Sequence, residues 1–129
     1  MAGSVLVSRD QTNDSDWRYK ITVSWVGDSA DGSVPNKSLG TVNGYVSVLT
    51  TNPGTPAPTD NYDITLLDSN GVDIAGGALA DRDTAVSEAV LPVLSNTRVP
   101  RLVIDELTFT LSGNSAAGAQ GTLVIYVQE

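Results

Sequence analysis

Hydrophobic and polar residues alternate with a period of two along much of this chain. In "RYKITVSWVG" the residues Tyr19, Ile21, Val23 and Trp25 fall on one face, and the residues between them are mostly polar or charged. This alternation is typical of a β-strand with one buried face. We therefore expect Tyr19 and Trp25 to pack in a core. "YDITLLD" and "TVNGYVSVLT" carry the same pattern.

The segment "RLVIDELTFTLSG" changes phase along its length. Leu102 and Ile104 occupy even positions, whereas Leu107 and Phe109 occupy odd positions. A β-bulge inserts one unpaired residue and shifts the alternation by one position. We expect such a bulge near residues 105–106, which would turn both apolar sets toward the core.

Two further segments depart from simple alternation. "TLVIYVQE" is apolar at consecutive positions, which indicates a central strand or a strand with one face given to a partner. "TAVSEAVLPVLS" has near-helical spacing of its valines, but Pro92 would interrupt a helix. We expect the second segment to be mainly extended.

Turn-forming residues separate these strand signals, in "GDSADGSVPNKS", "TTNPGTPAPTDN", "DSNG", "GGALADRD" and "SGNSAAGAQG". The pattern predicts an all-β fold: a single β-sandwich, jelly-roll-like, with seven or eight short antiparallel strands. A chain of 129 residues fits one domain, which we assign to residues 1–129. Residues 1–12, with the short strand "SVLVSR", are predicted to form an N-terminal arm.

The chain contains no histidine and no cysteine. The commonest general base near neutral pH, the commonest metal ligand, thiolate chemistry and disulfides are therefore all excluded. Two carboxylate pairs remain, Asp81 with Asp83 and Asp105 with Glu106, and neither pattern aims a pair at a shared cleft. We predict that the protein is not an enzyme and takes no cofactor.

The charge of the chain restricts its partners. Fifteen acidic and seven basic residues give a formal net charge of -8, and the basic residues are scattered. Nucleic acid would be repelled by such a surface. No apolar run is long enough to cross a membrane, and the N-terminus lacks the pattern of a signal peptide. We expect neither nucleic acid nor membrane as a partner, and production in the cytoplasm.

Oxygen-bearing side chains cluster in "NYDITLLDSNGVDIAGG". Asp68, Asn70 and Asp73 are of the type that calcium prefers, but the glycine and the closing glutamate of an EF-hand loop are not at the required positions. Asn70-Gly71 between two apolar runs instead predicts a β-hairpin with a type I′ turn. We favour the hairpin and predict no metal site, with calcium binding as the alternative.

Aromatic residues offer one candidate anchor for a partner. Trp17 follows the acidic segment "NDSD", and we expect it to lie nearer the surface than Trp25. Exposed tryptophan is enriched at binding hot spots. A carbohydrate-binding or adhesion module, with Trp17 in its platform, is an alternative function.

The segments "PTDNYDITLLDSNGVDIAGGALADRDTAVSE" and "LTFTLSGNSAAGAQGTLVIYV" resemble a family of small all-β proteins encoded among the virion genes of tailed bacteriophages. The resemblance covers residues 58–129. Its matching positions are Pro58, Asp60, Tyr62, Asp63, Ile64, Thr65, Leu66, Asp68, Gly71, Asp73, Gly113, Gly121, Thr122 and Tyr126.

The resemblance implies a virion structural protein, and we favour a capsid decoration (cement) protein. It would stabilise the head by binding the outer surface of the major capsid protein shell, after assembly in the host cytoplasm. Another virion part (a head-tail joining, tail-tube or tail-tip protein) is the alternative. We expect a homo-oligomer, with a trimer favoured over a dimer, and strand addition from the N-terminal arm. The candidate partner-binding residues are Val5, Val7, Arg9, Trp17 and Arg82.

Overall fold

A computed structural model describes residues 1–11 and 18–128 of the chain. In these ranges the protein is all-β, as predicted, and contains no helix; accordingly none is present that is long and apolar enough to cross a bilayer. The strands of the described ranges are β1 (Ser4–Gln11), β2 (Arg18–Val26), β3 (Lys37–Pro53), β4 (Asp63–Leu67), β5 (Glu88–Val90), β6 (Val93–Leu94), β7 (Thr97–Arg98), β8 (Arg101–Ser112) and β9 (Gln120–Gln128).

Seven of these strands form one antiparallel sheet. Six follow the order β1-β2-β9-β3-β8-β4, and β5 pairs with β3 beside this path, while β6 and β7 form a separate two-stranded sheet. The long strand β3 changes partners along its length. Its residues 37–46 pair with β8 and its residues 45–53 pair with β9, with a register shift between Val46 and Leu49. β3 therefore joins the two halves of the sheet.

The sheet is strongly curved. Tyr62, directly before β4, and Trp25, in β2, have ring centroids 5.6 Å apart. Three strands separate β2 from β4 in the sheet order, so a flat sheet would hold them roughly 19 Å apart at about 4.8 Å per strand. The curvature brings both ends of the sheet over one core.

The core contains the apolar residues that alternation assigned to strand faces. Trp25 is buried as predicted, and Tyr19 is partly buried against the core. Gly121 allows the Trp25 indole to pack on β9, because a Cβ at position 121 would lie 2.5 Å from its Cζ2 atom. The largest fully buried side chains are Trp25, Tyr62, Phe109, Ile21, Leu49, Ile64, Leu66, Ile74, Leu79, Leu107, Leu123 and Ile125.

The predicted bulge on β8 is wrong. Register with β3 runs without interruption from Arg101 to Leu107, and the irregularity lies on β3 between Ser38 and Gly40. Alternation therefore continues through β8 and buries Val103 and Leu107. Its even positions face outward, which leaves Leu102 and Ile104 exposed instead of in the core.

The segment around Pro92 is extended, as expected. Its residues form β5 and β6, with Pro92 between them. The strand β5 covers part of the β3 edge that β8 leaves unpaired, through the pairs Leu49 with Val90 and Thr51 with Glu88.

Candidate interaction surface

The oxygen-rich segment after β4 is a hairpin, but its turn is not of type I′. Asp68 N–H donates to Val72 O at 2.9 Å and Gly71 N–H donates to Asp68 O at 3.0 Å. Gly71 has a φ of 77°, whereas Asn70 does not have a positive φ. A type I′ turn needs positive φ at both central residues, so this loop is instead a turn followed by one left-handed glycine.

The carboxylates of this hairpin accept hydrogen bonds from the backbone. Asp68 Oδ1 accepts from the N–H groups of Asn70 and Val72, at 2.9 and 3.0 Å. Asp73 accepts from Leu66 and Ala75 through Oδ1 and from Gly77 through Oδ2. The geometry assigns loop closure to these acids. In the described ranges no group of three His, Cys, Asp or Glu side chains is arranged to hold a metal ion.

Both candidate carboxylate pairs are likewise divided among local contacts. Asp83 Oδ1 accepts from the backbone of residues 85–86, and Asp105 Oδ2 accepts from the N–H and hydroxyl of Ser69 at 3.0 and 2.6 Å. These bonds hold the pKa of Asp105 below its ordinary value. Glu106 accepts from the Ser38 hydroxyl at 2.7 Å. Asp83, Asp105 and Glu106 therefore each contact a different loop or strand.

Arg82 has its guanidinium held within the fold. Its side chain is 11% exposed and lies 3.6 Å from Glu88 in an ion pair. Its Nε and Nη2 both donate to Ala80 O, at 3.1 and 3.0 Å. Partner binding by Arg82 stays a prediction, and its contacts with Ala80 and Glu88 assign the side chain to loop closure.

A small group of buried polar atoms surrounds Tyr62. Within the described ranges, the buried side-chain atoms without a hydrogen-bond partner are Trp25 Nε1, the Tyr62 hydroxyl and Arg82 Nη1. Burial raises the pKa of the Tyr62 phenol, and the neighbouring Thr51 hydroxyl and Arg82 charge offset part of that rise. The Thr51 hydroxyl is a neighbour of the phenol, but its geometry is not that of a hydrogen bond.

The candidate partner-binding residues Val5, Val7 and Arg9 lie on β1, which is a strand of the main sheet. Val5 and Val7 are half-buried against the core, and β1 pairs along its length with β2. Arg9 stacks over the Tyr19 ring at 5.4 Å and donates to the carbonyls of Leu39 and Thr41. Trp17 lies outside the described residues, and binding by the other three remains a prediction.

The first residues are docked as well. Ser29 N–H donates to Met1 O at 3.0 Å, and the N-terminal amine donates to the Ser29 hydroxyl. A Cβ on Gly3 would lie 2.3 Å from Ser33 O. The segment described as residues 1–11 thus lies against the loop after β2 and against β2 itself.

The two edge strands of the sheet path differ in how they are covered. The free edge of β4 is bonded by the loop that follows it: Ile64 N–H donates to Leu79 O, and Arg82 N–H donates to Tyr62 O. Leu66 N–H also donates to Asp73 Oδ1. In the described ranges no strand pairs with the outer edge of β1.

Large apolar side chains cluster on the outer face of the sheet. Tyr45 on β3 lies directly opposite Leu102 on β8, and Ile104 is two residues farther along β8. On the other side of β3, Tyr45 lies opposite Gln128 of β9, and Tyr126 is two residues before Gln128 on that strand. Leu102 is 51% exposed and Ile104 is 69% exposed, and both tyrosines are also exposed. We call Tyr45, Leu102, Ile104 and Tyr126 the outer-face patch.

Basic residues border this patch on the β2 side. Lys20 lies opposite Tyr126 and Arg18 lies opposite Gln128, and both cations are exposed. They are two of the seven basic residues in a chain of net charge -8. Lys20 lies opposite the exposed Asp10 of β1, and the exposed Glu106 lies two residues beyond Ile104 on β8. The face is thus apolar at its centre with charges of both signs around it.

Sequence reasoning did not select these four residues as a site. The alternation predicts Leu102 and Ile104 to be core residues, because apolar residues on a strand usually face the core. One signal was present: the consecutive apolar residues of β9, which were interpreted as a central strand or as a face given to a partner. β9 is central, between β2 and β3, and its Tyr126 is also exposed.

Comparisons with known proteins add no relative to this geometry. No protein-family model, no curated protein and no solved structure matches the chain.

Proposed function

We propose that this protein is a phage capsid decoration protein, which binds the outer surface of the major capsid protein shell through its outer-face patch. The observation that carries the proposal is the patch itself. Its four residues lie on adjacent strands and are exposed: Tyr45, Leu102, Ile104 and Tyr126. The opposite face of the same sheet is buried and forms the core, so the fold does not need this patch to be covered.

Exposed apolar clusters on a folded surface usually mark interaction sites. Tyrosine is enriched in such sites because its ring buries area while its hydroxyl can remain hydrogen-bonded. Charged residues of both signs around the patch, such as Lys20, Asp10 and Glu106, favour a partner with an apolar centre and a polar rim. A capsid protein with that chemistry on its outer surface would fit.

The scaffold suits such a role. We propose that the curved sheet forms a single β-sandwich, jelly-roll-like, because rings from β2 and from the start of β4 meet across the core. A rigid sheet holds the patch in one geometry, so little side-chain or backbone freedom is lost on binding. The acid side chains that close loops serve the same rigidity.

Binding to capsids tests the proposal. Capsids of the phage that carries this gene would be prepared without the protein, and purified protein would be added and sedimented with them. We expect saturable co-sedimentation and increased resistance of the capsids to heat. The double variant Tyr45→Ser, Ile104→Ser should lose most of the binding.

Val72→Ser is the matched control, because Val72 is an exposed apolar residue in the hairpin after β4 and is not one of the four patch residues. It should bind as the parent protein does. Equal binding by the patch variant and the parent would overturn the proposal. Binding to tail structures alone would favour the other virion part, and binding to a glycan that is lost with Trp17 would favour an adhesion module.

A further inference from the structure

The outer edge of β1 has the features of an edge to which another β-strand can pair. Backbone N–H and C=O groups on an unpaired edge are a template for another strand, and proteins protect such edges with proline, bulges, charges or a covering loop. The β4 edge has a covering loop, with hydrogen bonds at Tyr62, Ile64 and Leu66. In the described ranges β1 has no strand on its outer edge, and its register with β2 contains no bulge.

The first half of β1 also lacks residues that would prevent another strand from pairing with it. "SVLVS" contains neither proline nor charge, and the charged residues Arg9 and Asp10 are confined to the end of the strand. Leu6 is 72% exposed on the outer face of the sheet, where it lies opposite Ser24. Val5 and Val7 share the inner face with Trp25 and Val23.

We propose that β1 pairs with β1 of a second copy of this chain, antiparallel and centred on Leu6, to form a twofold dimer with one continuous sheet. In this register Leu6 faces Leu6 of the other copy, and Val5 faces Val7. Arg9 and Asp10 fall opposite uncharged residues of the other copy.

Charge and apolar pattern select this register over its neighbours. Only registers that pair residues of the same face keep the inner sides of both sheets inward. Among these, moving the axis by one residue in either direction places Leu6 opposite a serine. Axes centred on Arg9 or Asp10 place like charges directly opposite, which is unfavourable.

The symmetry has a consequence for binding. The twofold axis of an antiparallel strand pair is perpendicular to the sheet, so the outer faces of both copies lie on the same side. Both outer-face patches would then face one surface, and the second contact forms at a high effective concentration. This consequence rests on the proposed function, whereas the dimer does not; we propose a dimer in place of the trimer that sequence resemblance favoured.

Cysteine substitution tests the contact directly, because the chain has no cysteine of its own. In a pairing centred on Leu6, the side chains of Leu6→Cys in the two copies are direct neighbours and should form an intermolecular disulfide under mild oxidation. Ser8→Cys is the matched control on the same outer face, and its two copies lie four residues apart along the strand pair. A dimer disulfide for Leu6→Cys alone is expected; equal cross-linking of both would overturn the register.

Charge substitution tests the dimer in solution by sedimentation velocity. The parent protein should sediment as a dimer, and Leu6→Glu and Leu6→Lys should each be monomeric because like charges meet at the axis. An equimolar mixture of the two variants should regain the dimer. Leu94→Glu, on the exposed residue of β6, should leave the dimer intact.

Other outcomes are decisive as well. A monomeric parent protein, or a Leu6→Glu variant that stays dimeric, would overturn the proposal, and circular dichroism would show that each variant is folded. Capsid binding separates the two proposals: Leu6→Glu should bind capsids more weakly through loss of the second contact, whereas the Tyr45→Ser, Ile104→Ser variant should stay dimeric and not bind.

Discussion

Aspartate side chains close many loops of this protein by accepting hydrogen bonds from backbone N–H groups. Asp63 accepts from Asp81, Asp73 accepts from three residues around β4, and Asp28 accepts from Ala30. Short acidic side chains are suited to this role because they reach amides within a few residues. The acids that suggest calcium or catalysis in the sequence are therefore explained by loop geometry.

Asp73 should be among the most important of these residues for stability. Asp73→Ala leaves three N–H groups without their acceptor, and a hydrogen bond to a charged group contributes about 1.5–3 kcal/mol net, less where water can replace the acceptor. We expect the free energy of unfolding to fall by about 2–4 kcal/mol in urea denaturation. Asp10→Ala, on the exposed end of β1, is the control and should change it by less than about 0.5 kcal/mol.

The same comparison addresses calcium. If Asp73 only closes the loop, the melting temperature of the parent protein should be equal in calcium and in EDTA. A higher melting temperature in calcium than in EDTA, if it disappears in Asp73→Ala, would show that the carboxylate binds the ion.

Tyr62 offers a second test at the residue scale. Its phenol is buried without a hydrogen-bond partner, so Tyr62→Phe removes a desolvated hydroxyl and no bond. At pH 7 the free energy of unfolding should stay the same or rise. A loss of about 1–2 kcal/mol would show that the hydroxyl is bonded after all.

The pH dependence follows from the same burial. The pKa of Tyr62 is raised in the folded state above its ordinary value of 10.0, so its neutral form is favoured by folding. This contribution is complete below pH 10 and is lost as the pH rises above it. Tyr62→Phe should therefore flatten the fall in the free energy of unfolding above pH 10, and an unchanged fall would contradict this assignment.

Strands are the scale at which the sequence was most informative. The alternation around Ile21 and Ile64 predicted β2 and β4 correctly, because one buried face imposes a period of two. The phase of β8 was wrong because its exposed face also carries apolar residues, and pattern alone does not tell a partner-facing residue from a core residue. Most of the strand pairing was not predictable, since β2 pairs with β9 and β3 pairs with β8 and β9 through contacts distant in sequence.

A pair of substitutions on β8 tests its phase. Leu107→Ala removes a fully buried side chain and should cost about 2–5 kcal/mol of the free energy of unfolding. Ile104→Ala, three residues away on the exposed face, should cost less than about 1 kcal/mol. Equal losses in denaturant titrations would restore the bulge and place both residues in the core.

The whole molecule combines a curved sheet, one covered edge, one open edge and an apolar outer face on an acidic chain. The core and the loop-closing acids explain how it folds without disulfides. Among residues 1–11 and 18–128, no further strand pairs with the outer edge of β1, and the outer-face patch is exposed. The outer face involves residues that the sequence pattern assigns to the core or does not select, whereas the sequence does predict strand addition by the N-terminal arm, with Val5, Val7 and Arg9 as candidate residues. A surface is defined by which strands become neighbours, and that information is not local in the sequence.

The central claim is our proposal that this protein decorates a phage capsid, and a cryo-electron map of the virion tests it most directly. We predict density for this protein on the exterior of the capsid, with Tyr45 and Ile104 of the outer-face patch toward the major capsid protein. A map in which the shell is bare, or in which this protein occupies only the tail, would contradict the account.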